Sequence, residues 1–324
     1  MNLLAAASAR DNFVDLDVGL GWWVGLAIAI GVLLAVDLYR HREDHEPTTR
    51  SALVETLVWI SFGVAFSAVV AIGFGSEAFG EYISGYLIEK SLSIDNVFVW
   101  SIIFSTMWIP LRFQHRVLFW GIFGALVLRL VFILVGAALI SRFAAVLVVF
   151  GAFLVITGLR IIRHREDEGE NASTAGLGLL RRVMPVTDDY DGHKFFTVKN
   201  GVRTATPLFA ALVVIEVTDV IFALDSVPAV LAVSNEPYIV FASNAFAILG
   251  LRAMYFLLAD ARQRFHYLSH ALGAILVFVG VKMALSQWHH LDTFVSLGVI
   301  LAILVAAIVF SELRTRREAA ALVD

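Results

Sequence analysis

The sequence predicts an all-α fold: a polytopic membrane helical bundle of about nine transmembrane helices with an inverted three-helix repeat. Three observations predict it. The 324 residues are 59% hydrophobic and only 16% charged, with a mean hydropathy of +0.82. A soluble domain runs nearer ~45–50% apolar and ~25% charged. Apolar runs of spanning length recur along the whole chain, and two triplets of them echo each other in sequence.

A spanning helix needs about 20 mainly apolar residues. Such runs fall near 20–39, 53–74, 82–105, 116–138, 143–161, 207–233, 238–259, 271–288 and 292–311. They divide the chain into an extracytoplasmic N-terminal segment (1–19), two peripheral helices (20–74), a first three-helix repeat (82–161), a cytoplasmic loop (162–206), a second repeat (207–288), and a last helix with a cytoplasmic tail (292–324). Period-two alternation is absent, which argues against a membrane β-barrel. The first 20 residues lack a basic start followed by an apolar core, so no cleaved signal peptide is expected.

Loop Lys and Arg set orientation. Seventeen of the 24 fall in 40–52, 106–116, 162–206, 260–270 and 312–324, while the alternate segments hold only Arg10 and Arg142. That asymmetry places the N-terminus outside and the C-terminus in the cytoplasm. The net charge of −4 offers no basic surface for nucleic acid, and the absence of Cys removes disulfides, thiolate metal sites and Cys nucleophiles.

The repeat is read from three matches. Phe119–Arg129 resembles Ala242–Arg252, Gly158-Leu-Arg160 resembles Gly280-Val-Lys282, and Asp95 stands to Asp219 at a comparable offset. A copy of three spans inserts upside down, the arrangement of many secondary transporters, whose site lies at the midplane between the halves. A second frame pairs Glu89 with Asp219, and both frames stay open. In the long loop, Lys199-Asn-Gly201 between two β-prone runs predicts a small hairpin. The Asp188–Gly192 cluster reads as a solvated turn, with cation binding as the alternative.

Acids deep in spans are costly and usually functional. Six qualify: Glu55, Glu89, Asp95, Glu216, Asp219 and Asp225. At 100° per residue, Glu89, Ser93 and Asn96 share one helix stripe, as do Glu216, Asp219 and Ser226. Pro228 removes a backbone hydrogen bond and is expected to unwind its helix near Asp225. With Asn244 in the next span, the candidate ligands are Glu89, Asp95, Asn96, Glu216, Asp219, Asp225, Ser226 and Asn244. This oxygen-only set suits a hard divalent cation such as Mn²⁺, Mg²⁺ or Ca²⁺. The competing reading is internal ion pairing or gating by the intramembrane bases Lys90, Arg129, Arg252 and Lys282, with Arg160 snorkelling to the interface. The seven Trp read as an interfacial aromatic belt.

At these residues the chain resembles the TerC family of integral membrane proteins. The resemblance is carried by Glu89-Lys-Ser-Leu-Ser-Ile-Asp-Asn96, by Val214–Ala229 with its Glu216, Asp219, Asp225 and Pro228, and by Ser243–Arg252. It covers roughly 50–285. It implies a multi-pass bacterial inner-membrane protein of metal homeostasis: manganese efflux, delivery of metal to exported enzymes, and a historical link to tellurite resistance. Carried residue by residue, it points to the same eight ligands.

The leading expectation is therefore a non-enzymatic exporter of Mn²⁺ by alternating access, with proton antiport as its coupling. No G-x-x-x-x-G-K-[ST] motif occurs to bind ATP. The alternative is an interaction protein that serves the secretion machinery or hands metal to exported metalloproteins. An intramembrane aspartyl protease using Asp95 and Asp219 lacks the Gly-x-Gly-Asp context. A tellurite carrier would want unpaired Arg, whereas acids outnumber bases here.

Overall fold

The structure is a computed structural model that describes residues 13–40, 48–143, 145–163, 178, 180, 182, 184–187, 189–199, 201–259, 267–285 and 293–321. Its helices are α1 (Leu20–Arg40), α2 (Thr49–Thr106), α3 (Leu111–Arg142) and α4 (Ala145–Arg163), then α5 (Pro207–Leu231), α6 (Pro237–Ile248), α7 (Leu251–Ala259), α8 (Leu268–Leu285) and α9 (Thr293–Ala321). Among the described residues, six helical stretches are long and apolar enough to cross a membrane, and His270–Leu285 is a shorter apolar helix. One of the six, α2, covers two of the expected spans: its 58 residues bend at Gly75, whose φ of 92° is open to glycine alone at little cost. The expected spans map onto helices, although much of the loop 162–206 and residues 286–292 lie outside the described set.

Local chemistry sets the helix starts. The Thr48 hydroxyl accepts from Ser51 N–H and caps α2. Pro207 and Pro237 open α5 and α6, where a missing N–H costs nothing. Pro228 does not act as the sequence suggested. Helix α5 runs through it to Leu231, and the interruption falls instead in the following span. There α6 stops at Leu249, Gly250 takes φ 84°, and α7 restarts at Leu251. A side chain at Gly250 would meet Trp59 Cβ at 2.3 Å. Broken spans of this kind are tolerated where protein, not lipid, surrounds the freed backbone, and this one is buried from Ala242 through Tyr255.

Two apolar clusters fill the bundle. One joins α2, α3, α5, α6 and α7 through Trp59, Trp100, Phe104 and Tyr238, and the other joins α4, α5 and α8 through Leu154, Val227 and Leu276. Trp59 and Trp100, both buried, thus belong to the core and not to the expected belt, and Trp59 packs beside Gly250 at the α6–α7 break. Large apolar side chains such as Leu20, Ile28 and Ile72 face outward, as a lipid-covered surface requires.

Helices α4 and α8 touch backbone to backbone. A Cβ on Gly151 would lie 2.6 Å from Gly280 O, and one on Gly280 would lie 2.7 Å from Gly151 O. Gly158 and Gly273 repeat the contact at 2.6 and 2.7 Å. The pairing is antiparallel and locally two-fold. Gly151 and Gly158 correspond to Gly273 and Gly280 at the same sequence offset that relates Gly158-Leu-Arg160 to Gly280-Val-Lys282. Small residues permit this approach.

The expected hairpin forms as β1 (Phe196–Lys199) against β2 (Val202–Ala205), antiparallel, with Gly201 at φ 78° in the turn. Asn200 and Asp188 lie outside the described residues. Asp189 pairs with Lys199, while Asp191 accepts from Lys194 and Thr197. These partners support the turn reading of the acidic cluster.

Candidate cation site

Arg129 stands at the centre of the candidate site. It projects from α3 and is 1% exposed. Its guanidinium pairs with Glu89 of α2 and lies 3.6 Å from Asp219 Oδ1 of α5. It also donates to Ser226 Oγ at 2.9 Å and to Asn244 Oδ1 at 3.4 Å. The planar fork of five N–H donors is what lets one side chain reach acceptors on three helices at once.

The acceptors are themselves tied together. Asn244 Nδ2 donates to Glu89 Oε2 at 3.0 Å, and Ser93 Oγ donates to Glu89 Oε1 at 3.0 Å. Ser93 sits one turn from Glu89, as the shared stripe requires. Asp219 and Ser226, seven residues apart on α5, also face the same guanidinium, as predicted. Glu216 lies one turn from Asp219 and presses its carboxylate against the α3 backbone at Gly124, where a Cβ would fall 2.0 Å from Glu216 Oε1.

Four of the eight predicted ligands therefore converge: Glu89, Asp219, Ser226 and Asn244. Glu216 is their neighbour. Asn96 is buried further along α2, and Asp225 lies half-buried further along α5. The Asp95 side chain lies outside the described set. Among the described residues, no group of three or more His, Cys, Asp or Glu is gathered tightly enough to hold a metal by itself. The cluster is a mixed one of carboxylates, amide and hydroxyl around a cation that the protein supplies.

Its hydrogen bonding is incomplete. Asp219 Oδ2 and Arg129 Nε are buried without a hydrogen-bond partner among the described residues. Such atoms cost about 1–3 kcal/mol each. Two acids and their neighbour Glu216 also exceed the one guanidinium in formal charge.

The other predicted bases occupy separate places. Lys90 Nζ donates to Ala247 O at 3.1 Å, one of the carbonyls of the last turn of α6 ahead of the break. A cation is favoured at that end of a helix. Arg252 of α7 pairs with Asp37 of α1. Lys282 is buried on α8, and Arg160 is exposed in the last turn of α4, as snorkelling requires.

Sequence reasoning missed Glu81. It is 2% exposed and accepts from Val14 N at 2.8 Å and Ser234 Oγ at 2.6 Å, tying the segment before α1 to the α5–α6 connection. It stands one residue before the expected span, where an acid is cheap. Only its burial under the N-terminal segment sets it apart. Nearby, a cleft of about 410 Å³ is lined by Phe13, Asp15, Leu134, Asn235 and Glu236.

Residues 74–319 match the model of the family described as "Integral membrane protein TerC family". The chain is 48% identical over 297 residues to "Uncharacterized membrane protein STKORF319" of Myxococcus xanthus, covering 91% of this chain and 93% of that one. It is 42% identical over 299 residues to "Putative membrane-bound redox modulator Alx" of Escherichia coli K12, covering 89% and 93%. To an "Uncharacterized membrane protein" of Rickettsia bellii it is 36% identical over 295 residues, covering 90% and 97%. No solved structure matches. The family model spans most of the chain and the relatives cover nearly all of it: the chain belongs to the TerC family of integral membrane proteins.

Proposed function

We propose that the protein is a secondary transporter that exports a divalent cation, Mn²⁺ foremost, from the cytoplasm of a bacterial inner membrane through the cluster around Arg129. One observation carries the reading. Two carboxylates, a carboxamide and a hydroxyl from α2, α5 and α6 meet at one buried point, with more negative charge than the guanidinium there balances and with one oxygen of Asp219 open. Hard oxygen donors of this kind suit Mn²⁺. A static ion-pair lattice would gain stability only with every polar atom satisfied.

Manganese is written here as cargo, not as a resident cofactor. Glu89 and Asp219 supply charge, and Asn244 and Ser226 supply neutral oxygens. Gly85 of α2 lets this part of α6 come close, since a Cβ there would lie 2.7 Å from Ser243 Oγ, next to Asn244. Protons taken up by the carboxylates on the far side would release the ion, which is the antiport expected from a chain without a nucleotide motif. The lipid bilayer is the surrounding partner. Handing metal to exported proteins is a compatible downstream role. The name "redox modulator" of the Escherichia coli relative fits such a role as well. With no Cys in this chain, an influence on redox state would run through the cargo and not through a thiol pair.

Proteoliposomes holding the purified chain test the proposal. Mn²⁺ flux driven by a pH gradient is expected for the wild type and is expected to fall at least ten-fold in Glu89→Gln and in Asp219→Asn. Equal flux in both variants would remove the site from the transport path.

A further inference from the structure

We propose that Arg129 is a tethered cation, its guanidinium filling the position of the transported ion in the unloaded protein, so that the cation enters only as the guanidinium leaves. The proposal rests on reading the cluster as a cation site and names how that site is regulated.

The contacts carry it. Among the described residues, the four side chains bonded or paired to the guanidinium, Glu89, Asp219, Ser226 and Asn244, all present oxygen acceptors to it. These are the donors a hard divalent ion would take. Two positive charges cannot share so small a set in a buried place, where Coulomb repulsion is poorly screened. Occupation by the arginine and by the ion is therefore mutually exclusive.

The fit of the guanidinium is close but incomplete. Arg129 and Asp219 are 1% and 4% exposed, yet Arg129 Nε and Asp219 Oδ2 have no hydrogen-bond partner among the described residues. A side chain serving only as a brace would be expected to satisfy both. The same face of α5 carries a second carboxylate. Glu216 lies one turn from Asp219 on α5, and its carboxylate rests against α3 beside Gly124, on the helix that carries Arg129. A guanidinium leaving Asp219 has this second carboxylate one helical turn away along α5.

The arrangement also serves the return of an empty carrier. Without a tethered cation, any carboxylate of the unloaded cluster left without a proton would cross a low-dielectric region with nothing to offset it. With Arg129 in place, the empty site stays compensated, and the cargo displaces the compensator only while bound.

The test uses the full chain in detergent with MnCl₂ alone. Free Mn²⁺ is read by electron paramagnetic resonance, and the thermal unfolding midpoint is followed in parallel. Arg129→Gln is expected to bind Mn²⁺ at least ten-fold more tightly than the wild type. Its lowered unfolding midpoint is expected to recover on adding Mn²⁺, and Asp219→Asn in the same chain should abolish both gains. Arg129→Lys keeps a compact positive charge and should bind with intermediate affinity. An Arg129→Gln protein that binds Mn²⁺ no better than the wild type, or that stays unfolded with Mn²⁺ present, would overturn the proposal and leave the arginine a structural brace. Flux is scored apart from this comparison: a wild type that shows no Mn²⁺ flux sinks the export reading, while the affinity order of the variants still decides the role of Arg129.

Discussion

Asn244 and Glu89, 155 residues apart in sequence, are joined by a 3.0 Å hydrogen bond from the amide of one to the carboxylate of the other. The bond fastens the last turn of α6 to the middle of α2, one turn before α6 breaks. Lys90 fastens the same turn again through Ala247 O. Replacing Asn244 by Leu leaves Glu89 Oε2 without this donor and the guanidinium of Arg129 without one acceptor. A destabilisation of about 1–3 kcal/mol is expected, read as a lower unfolding midpoint in detergent, with Asn244→Gln losing less than Asn244→Leu. An unchanged midpoint in Asn244→Leu would mean the amide is dispensable.

Gly124 holds open the space that the Glu216 carboxylate fills. A methyl group there would fall 2.0 Å from Glu216 Oε1, so Gly124→Ala must push the side chain off α3. Mn²⁺ flux in the variant is expected to drop several-fold. Gly121→Ala, where the nearest atom is Ile215 Cγ2 at 3.0 Å, should retain most of it. Equal flux in the two variants would show that the position of Glu216 is unimportant.

The break between α6 and α7 depends on Gly250. Its φ of 84° disfavours every other residue, and a Cβ would meet Trp59 Cβ at 2.3 Å. Gly250→Ala is expected to cost more than the roughly 1 kcal/mol of an unfavourable positive φ alone, because the clash with α2 adds to it. Replacing Trp59 by Gly in the same protein removes the Cβ, Cγ and Cδ1 that the new methyl would meet at 2.3, 2.4 and 2.9 Å, so the two costs should be less than additive. Thermal unfolding of the two single variants and the double variant measures the coupling.

Glu236 caps α6 outside the expected span. Burial raises its carboxyl above the ordinary 4.5; the backbone N–H groups of Tyr238 and Leu16 work the other way, and the charge of Asp15 adds a smaller upward push. A carboxyl raised in the folded state binds more protons folded than unfolded. Stability is therefore expected to fall as pH climbs from about 4.5 through the raised value, and to level off above it. Glu236→Gln lacks this titration. The gap between the unfolding midpoints of variant and wild type should widen in the variant's favour from pH 4 towards neutral. A gap independent of pH would count against the assignment.

Much of the cluster was legible because helix periodicity is rigid. The 100° step put Ser93 beside Glu89 and aligned Asp219 with Ser226, and both alignments hold. The deep placement of Arg129 and Arg252 foretold that each would seek an acid. What one chain's pattern does not carry is which acid each base chooses, because that depends on crossing geometry between helices far apart in sequence. Helix interruption was misplaced for a similar reason. Pro228 advertised a break, yet a helix tolerates a proline when neighbouring groups accommodate it. The true break, at Leu249-Gly250, is marked only by one glycine among the 23 of the chain, most of which sit in helices without breaking them. Trp59 and Trp100 were assigned to the interface by their chemistry, whereas the packing of α2 against α6 and α7 needed their volume.

Where Gly151 rests on Gly280 and Gly158 on Gly273, no side chain stands between the two backbones. At these four positions the glycines let the two helices come closer than any side chain would allow, with Ile162, Val277 and Leu154 closing in beside them. Bulk added at any of the four would act as a wedge between α4 and α8, a disturbance that begins well away from the charged cluster.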